Sequence, residues 1–148
     1  WLVFGSEFCV YSDLIGPRWL GGSGIGVIVC LVGDLIRKTA MFHAGKSFNH
    51  IVQGTKAKEH QLITNGLYAY VRHPSYLGWF LFSIGTQMVL CNPLCLFAYI
   101  VVTWRFFAER IYVEEYILLQ FFGAQYSKYQ KSVPRTGVPF VKGFKNNL

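Results

Sequence analysis

The residues best suited to chemistry fall in two runs. The first is Arg72-His73-Pro74-Ser75-Tyr76-Leu77-Gly78. Proline disfavours helix at the residue before it and suits the first helical position itself. A helix is therefore predicted to start at Pro74, with Arg72 and His73 just ahead of it. The unpaired N–H groups and positive dipole end of such a terminus suit an anionic ligand group. The plainer alternative is a helix start flanked by basic surface residues. The second run is Arg105, Glu109, Arg110, Glu114 and Glu115. On a helix Arg110 and Glu114 are neighbours at i, i+4. Alone they would be a surface ladder worth about a few tenths of a kcal/mol. Here they follow Thr103-Trp104 and Phe106-Phe107, and ionisable groups next to membrane-like apolar sequence are functional candidates by default.

The elements that must position these groups are apolar. Of 148 residues 53% are hydrophobic and 14% charged, about half the charge of an ordinary soluble domain. A water-soluble globule and a disordered chain are both disfavoured. The reading is an all-α, polytopic integral membrane helical bundle, with room for roughly three or four spans of about 20 residues. The chain starts at Trp1 with no readable signal peptide, and an N-terminal part of a longer protein is expected to be missing. Residues 1–41 form a transmembrane region with one clear span at 19–36; residues 42–148 form the catalytic region. Within the span, Gly22 and Gly26 make a GxxxG pair that lets helices approach closely. Gly24-x-Gly26 lacks the preceding strand and third glycine of a dinucleotide loop. Residues 37–73 are polar and carry all four histidines.

Residues 74–107 are nearly all apolar or aromatic and break once, at Cys91-Asn92-Pro93. They are predicted to form a helical hairpin whose second arm continues as a helix over 105–122, followed by a soluble basic tail. The net charge of +7 is concentrated in two regions, 37–75 and beyond 104. The positive-inside rule places both in the cytosol, so the hairpin returns the Arg110 helix beside the His73 end. A nucleic-acid surface would not alternate with uncharged blocks of membrane length, so no nucleic-acid partner is expected. Cys9, Cys30, Cys91 and Cys95 read as small buried apolar residues rather than a disulfide framework. His50, His60 and His73 lack helical ligand spacing, and no metal site is predicted.

From Phe42 to Phe144 the chain resembles isoprenylcysteine carboxyl methyltransferase. The matching runs begin with Phe48 to Gln53, His60 to Ile63 and Gly66 to Ala69. They go on with RHPSYLGWF from Arg72, SIGTQMVLCNP from Ser83, WRFF from Trp104 and VPRTGVPFVKG from Val133. The Arg-His-Pro-x-Tyr-x-Gly turn alone is shared with sterol reductases and other membrane methyltransferases; joined to the rest it is specific. The resemblance implies an endoplasmic reticulum membrane enzyme, multi-pass, with its active site facing the cytosol. It implies that S-adenosylmethionine methylates the C-terminal carboxylate of prenylated proteins, the products of CaaX processing. It also implies site roles. Gln53, His60, Gln61, Leu62, Ile63, Tyr68, His73, Pro74, Ser75 and Tyr76 would line the methyl-donor pocket. Glu114 would close that pocket, and Arg110 would contact the prenylcysteine. Family members often carry Thr and Val where this chain has Gln61 and Ile63, and some extend the acidic run to where Tyr112 and Val113 stand.

Two alternatives share part of this pattern. A phospholipid or other small-substrate methyltransferase keeps the donor pocket but need not keep Arg110. An NADPH-dependent sterol-type reductase needs extra basic residues for the 2′-phosphate. Aromatic residues Trp79, Phe80, Phe82, Phe97, Tyr99 and Trp104 suit a prenyl groove open to the bilayer, while each taken singly reads as core or lipid-facing surface. Buried methylene groups, at roughly 0.8 kcal/mol each, would supply the binding energy there.

Overall fold

The computed structural model describes residues 18–45 and 62–144, with side chains described from Ser23 onward. Four α-helices follow in order: α1 (Arg18–Ala44), α2 (Pro74–Val89), α3 (Pro93–Phe122) and α4 (Ala124–Ser132). A 3₁₀ turn, Gly66–Ala69, lies between α1 and α2, and no strand occurs among the described residues. The all-helical reading holds.

Helices α1 and α2 run antiparallel with their backbones in close contact. A Cβ added to Gly33 would sit 2.6 Å from the Phe82 nitrogen, and one on Gly78 2.6 Å from the Gly33 oxygen. One on Gly26 would sit 2.7 Å from the Val89 nitrogen, and one on Gly85 2.7 Å from that of Cys30. These glycines recur every seven residues on each helix, so the two backbones interlock where any side chain would hold them apart. Gly26 takes part as expected, and Gly33 joins it along α1; the surroundings of Gly22 lie outside the described residues. Ser23 Oγ donates to Val89 O (3.0 Å) at one end of the pair, and the Arg37 guanidinium lies 4.4 Å over the Trp79 ring at the other.

Pro74 stands in the first turn of its helix, as predicted, and Pro93 does the same after the expected break. The hairpin turns through Cys91 at φ 52°, and the Asn92 side chain accepts from Cys95 N (3.0 Å), capping α3. The second arm does not end at the apolar boundary. It runs on as one helix of 30 residues, about 45 Å long. It stops at Gly123, which at φ 50° closes back onto Leu119 O (2.8 Å).

Among the described residues no helix is long and apolar enough to cross a membrane. Of the span expected over 19–36, side chains are described only from Ser23 onward, and its first residues lie outside them. Asp34, Arg37 and Lys38 interrupt the described part of α1, α2 is only about 24 Å long, and Arg105 interrupts the apolar part of α3. Large apolar residues nevertheless face outward, among them Ile28, Leu31 and Leu35 on α1 and Leu94, Phe97 and Val102 on α3. The interior is small. One cluster joins Phe80, Phe107, Ile111 and Val138, and another joins Tyr126, Tyr129 and Val133.

The tail, expected as a soluble basic segment, packs back onto the helices. After α4 it turns back, and its backbone accepts from Arg72 N at Arg135 O (3.0 Å) and from His73 N at Thr136 O (2.8 Å). Val138 and Val141 from this segment pack in or against the first cluster.

Candidate active site

The returning tail and the long α3 meet at the start of α2. There the Arg72 side chain is almost wholly enclosed. Its Nε donates to Glu115 Oε1 (2.7 Å), and its terminal nitrogens donate to Val133 O (2.8 Å) and Lys142 O (3.0 Å). The side chains of Arg72 and Glu115 are 1% and 0% exposed. A buried ion pair offsets its desolvation only when its remaining hydrogen-bonding capacity is used. Here it is: His73 Nε2 lies 3.1 Å from Glu115 Oε1, and Gln130 Nε2 donates to Glu115 Oε2 (3.2 Å) while also reaching Phe144 O (2.8 Å). Burial alone would raise the Glu115 carboxyl. The His73 hydrogen bond and charge, followed by those of Arg72, outweigh it and hold the group below the ordinary value of 4.5. Gly143, at φ 71°, passes so close that any side chain there would collide with this carboxylate.

At this helix start, read from the sequence as suited to an anionic group, Arg72 is paired with Glu115, and the N–H of His73 donates to Thr136 O. The missed residues are Glu115 and Gln130. An adjacent Glu-Glu pair opposite a basic run hinted that one acid is structural, but nothing in the sequence near Gln130 pointed to this site.

A second group of side chains lies one residue away and is more open. Tyr76 Oη donates to Glu114 Oε2 (2.5 Å) and accepts from Arg110 Nε (3.3 Å). The Tyr76 ring stacks on His73, with centroids 5.6 Å apart and planes 14° from parallel, and tilts against Phe107. His73 Nδ1 lies 3.8 Å from Glu114 Oε1. The Glu114 side chain is 29% exposed. Thus His73, Tyr76, Arg110 and Glu114, expected on one site, are brought together. Arg105 and Glu109 stand apart as an exposed i, i+4 pair (3.2 Å), the simple ladder the spacing allowed.

The remaining expected residues are placed as follows. Tyr68 Oη reaches Ala40 O (3.4 Å), and its carbonyl accepts from Tyr129 Oη (2.6 Å). Burial, with the Glu114 charge second, pushes the Tyr68 phenol up to about 12, so Tyr68 and Glu114 share one electrostatic environment. Leu62 packs on the Tyr126–Tyr129–Val133 cluster, and Ile63 is half-buried. Pro74 and Ser75 are buried, and Ser75 Oγ has no hydrogen-bond partner among the described residues. Gln53, His60 and Gln61 lie outside the described residues. Of the aromatic residues suited to a groove, Phe80 is part of the core, while Trp79, Phe82, Phe97, Tyr99 and Trp104 are exposed. Trp104 Nε1 donates to Pro139 O (2.7 Å), tying the tail to α3 at that edge.

Comparison with known proteins gives one consistent result. Residues 26–120 match the isoprenylcysteine carboxyl methyltransferase (ICMT) family. The protein-S-isoprenylcysteine O-methyltransferase of Xenopus laevis is 54% identical over 145 residues, covering 98% of this chain and 49% of that protein. The Homo sapiens protein of the same name is 49% identical over 148 residues, covering 100% and 51%. A solved structure of the eukaryotic intramembrane Ras methyltransferase ICMT, without a monobody, superposes with a TM-score of 0.87 at 49% identity. That match covers 97% of this chain and 52% of the solved one. The chain spans about half the length of these relatives.

Proposed function

The chain belongs to the isoprenylcysteine carboxyl methyltransferase family, and on that premise we propose that it carries the site of a membrane O-methyltransferase. Its acceptor would be the C-terminal carboxylate of prenylated, CaaX-processed proteins, and its product the methyl ester. The observation that carries the reading is the row Arg110–Tyr76–Glu114. One tyrosine hydroxyl holds a guanidinium suited to a carboxylate and a carboxylate suited to a cationic donor.

S-adenosylmethionine would supply a methyl group activated on a sulfonium. The residues present suit such a donor. Glu114 offers a partly open carboxylate for its ammonium or ribose hydroxyls. His73 and Tyr76 offer a stacked face, and Ser75 Oγ is a buried hydroxyl still wanting a partner. With Leu62, Ile63, Tyr68 and Pro74, and with Gln53, His60 and Gln61 beyond the described residues, they make up the proposed donor pocket.

A terminal carboxyl has a reference pKa of about 3.3–3.7 and is ionised at neutral pH. The acceptor therefore needs no general base. Arg110 holds it through a planar fork, which fixes direction. That grip also lowers nucleophilicity, so its contribution is alignment. In-line approach of an anion to a cation removes charge in the transition state, which a water-poor site opposes less than bulk water does.

The outward-facing apolar residues of α1 and α3, with the family's intramembrane character, support a bilayer location. The endoplasmic reticulum, a multi-pass topology completed by further spans and a cytosolic face for the site belong to the same proposal. The exposed Trp79, Phe82, Phe97, Tyr99 and Trp104 would meet the prenyl chain or lipid.

The test is binding and turnover of the purified protein in lipid. S-adenosylhomocysteine should bind and NADPH should not. Methyl transfer should occur to a farnesylcysteine analogue with a free carboxylate and not to its amide. Transfer to the amide, or binding of NADPH in preference, would reject the reading.

A further inference from the structure

Tyr76 occupies a position that neither pocket explains alone. Its hydroxyl donates to Glu114 Oε2 (2.5 Å) and accepts from Arg110 Nε (3.3 Å). A phenol has one proton to donate and lone pairs to accept with, so both bonds are made at once and each polarises the other. The ring packs against two others, stacked on His73 (5.6 Å) and tilted against Phe107 (5.4 Å), which restrains the hydroxyl from following one partner away from the other. Phe107 is itself in the core. We infer that Tyr76 is a positioning residue that couples the two ligands: occupancy at Glu114 sets the orientation of Arg110, and a carboxylate on Arg110 sets the charge and aim of Glu114. The inference rests on the reading of Glu114 as the donor side and Arg110 as the acceptor side.

The physical course is as follows. A cationic group arriving at Glu114 competes with the Tyr76 proton for the same carboxylate. The phenol proton is then shared less with Glu114, and the oxygen is a poorer acceptor for Arg110 Nε. The hold of Tyr76 on Arg110 Nε weakens, which favours turning that charge toward an anion. By linkage the effect runs equally in reverse: an anion drawing on Arg110 frees Tyr76 to release Glu114. The donor and the carboxylate acceptor therefore bind cooperatively, and an acceptor lacking its carboxylate does not.

The experiment measures S-adenosylhomocysteine affinity of the protein in lipid, with and without saturating farnesylcysteine, and repeats it with the farnesylcysteine amide. The free acid is expected to tighten S-adenosylhomocysteine binding by about 5- to 20-fold, within the usual range for coupled sites. The amide should change it by less than about twofold. Tyr76→Phe keeps the ring and its stacks and removes only the hydroxyl. Arg110→Lys keeps the charge and removes the Nε donor. In both variants the coupling, read as the ratio of S-adenosylhomocysteine affinities with and without farnesylcysteine, should fall to about unity whatever each ligand's own affinity becomes. Coupling that survives Tyr76→Phe, or wild-type protein with no coupling at all, would overturn the inference while leaving the methyltransferase reading standing. Failure of S-adenosylhomocysteine to bind under any condition would instead reject that reading.

Discussion

Glu114 and Glu115 are consecutive residues with the same side chain, yet one is 29% exposed and the other fully enclosed. Successive helical residues point about 100° apart, so α3 turns Glu115 into the junction with the tail and Glu114 toward Tyr76. Glu115 has Arg72, His73 and Gln130 as partners and no opening to a ligand. Glu114 has Tyr76 and, at longer range, His73, with solvent on its remaining side. The first arrangement spends all its hydrogen-bonding capacity on holding three chain segments together. The second keeps some in reserve. His73 touches both, which ties the shape of the open site to the closed one behind it.

If that division is right, the two acids should fail differently. Arg72→Ala leaves the buried Glu115 without its guanidinium partner, and a broken buried pair costs about 3–5 kcal/mol. A large fall in the thermal unfolding midpoint is expected, and Glu115→Gln should share it; a midpoint within a degree or two of wild type would break the comparison. On the open side, Arg110→Ala should raise the acceptor KM about 10- to 100-fold, from loss of a charged hydrogen-bonding partner, while donor affinity survives. Equal loss of donor affinity would erase the split between the two sides. Glu114→Gln should weaken S-adenosylhomocysteine binding by about tenfold with little change in unfolding midpoint. An unchanged affinity, read by calorimetry, would remove Glu114 from the pocket.

The gentlest discriminator is pH. Glu115 is held below its ordinary value of 4.5 in the folded protein. The stability it contributes is therefore complete above that value and is lost as pH falls through the lower folded value. The unfolding midpoint should decline on acidification below about pH 4.5, and Glu115→Gln should flatten that decline. A slope unchanged by Glu115→Gln would assign the acid sensitivity to other groups.

Much of the local structure was legible. Pro74 and Pro93 announce helix starts because their ring fixes φ and their missing N–H costs nothing in a first turn. The break read at Cys91-Asn92-Pro93 is where the hairpin turns, and Asn92 caps the helix that follows. The hairpin reading brought His73 and Arg110 to the same end, and Tyr76 now joins them. Other features were out of reach. The seven-residue spacing of Gly26 with Gly33 has meaning only beside Gly78 and Gly85 on another helix. The tail, with its prolines and basic residues, looked solvent-exposed. Its value lies in the carbonyls of Val133, Arg135, Thr136 and Lys142, and every residue type carries a carbonyl.

By itself the sequence determined which side chains are present for charged-ligand chemistry, where helices begin, and that apolar segments return the second run to the first. Tertiary structure decided which glutamate is closed off, that Arg72 braces the junction with the tail, and that Tyr76 stands between Arg110 and Glu114. The reason is that a helix's period assigns faces, but the neighbour each face meets depends on backbone hydrogen bonds to distant segments. Residue type leaves almost no mark on those bonds.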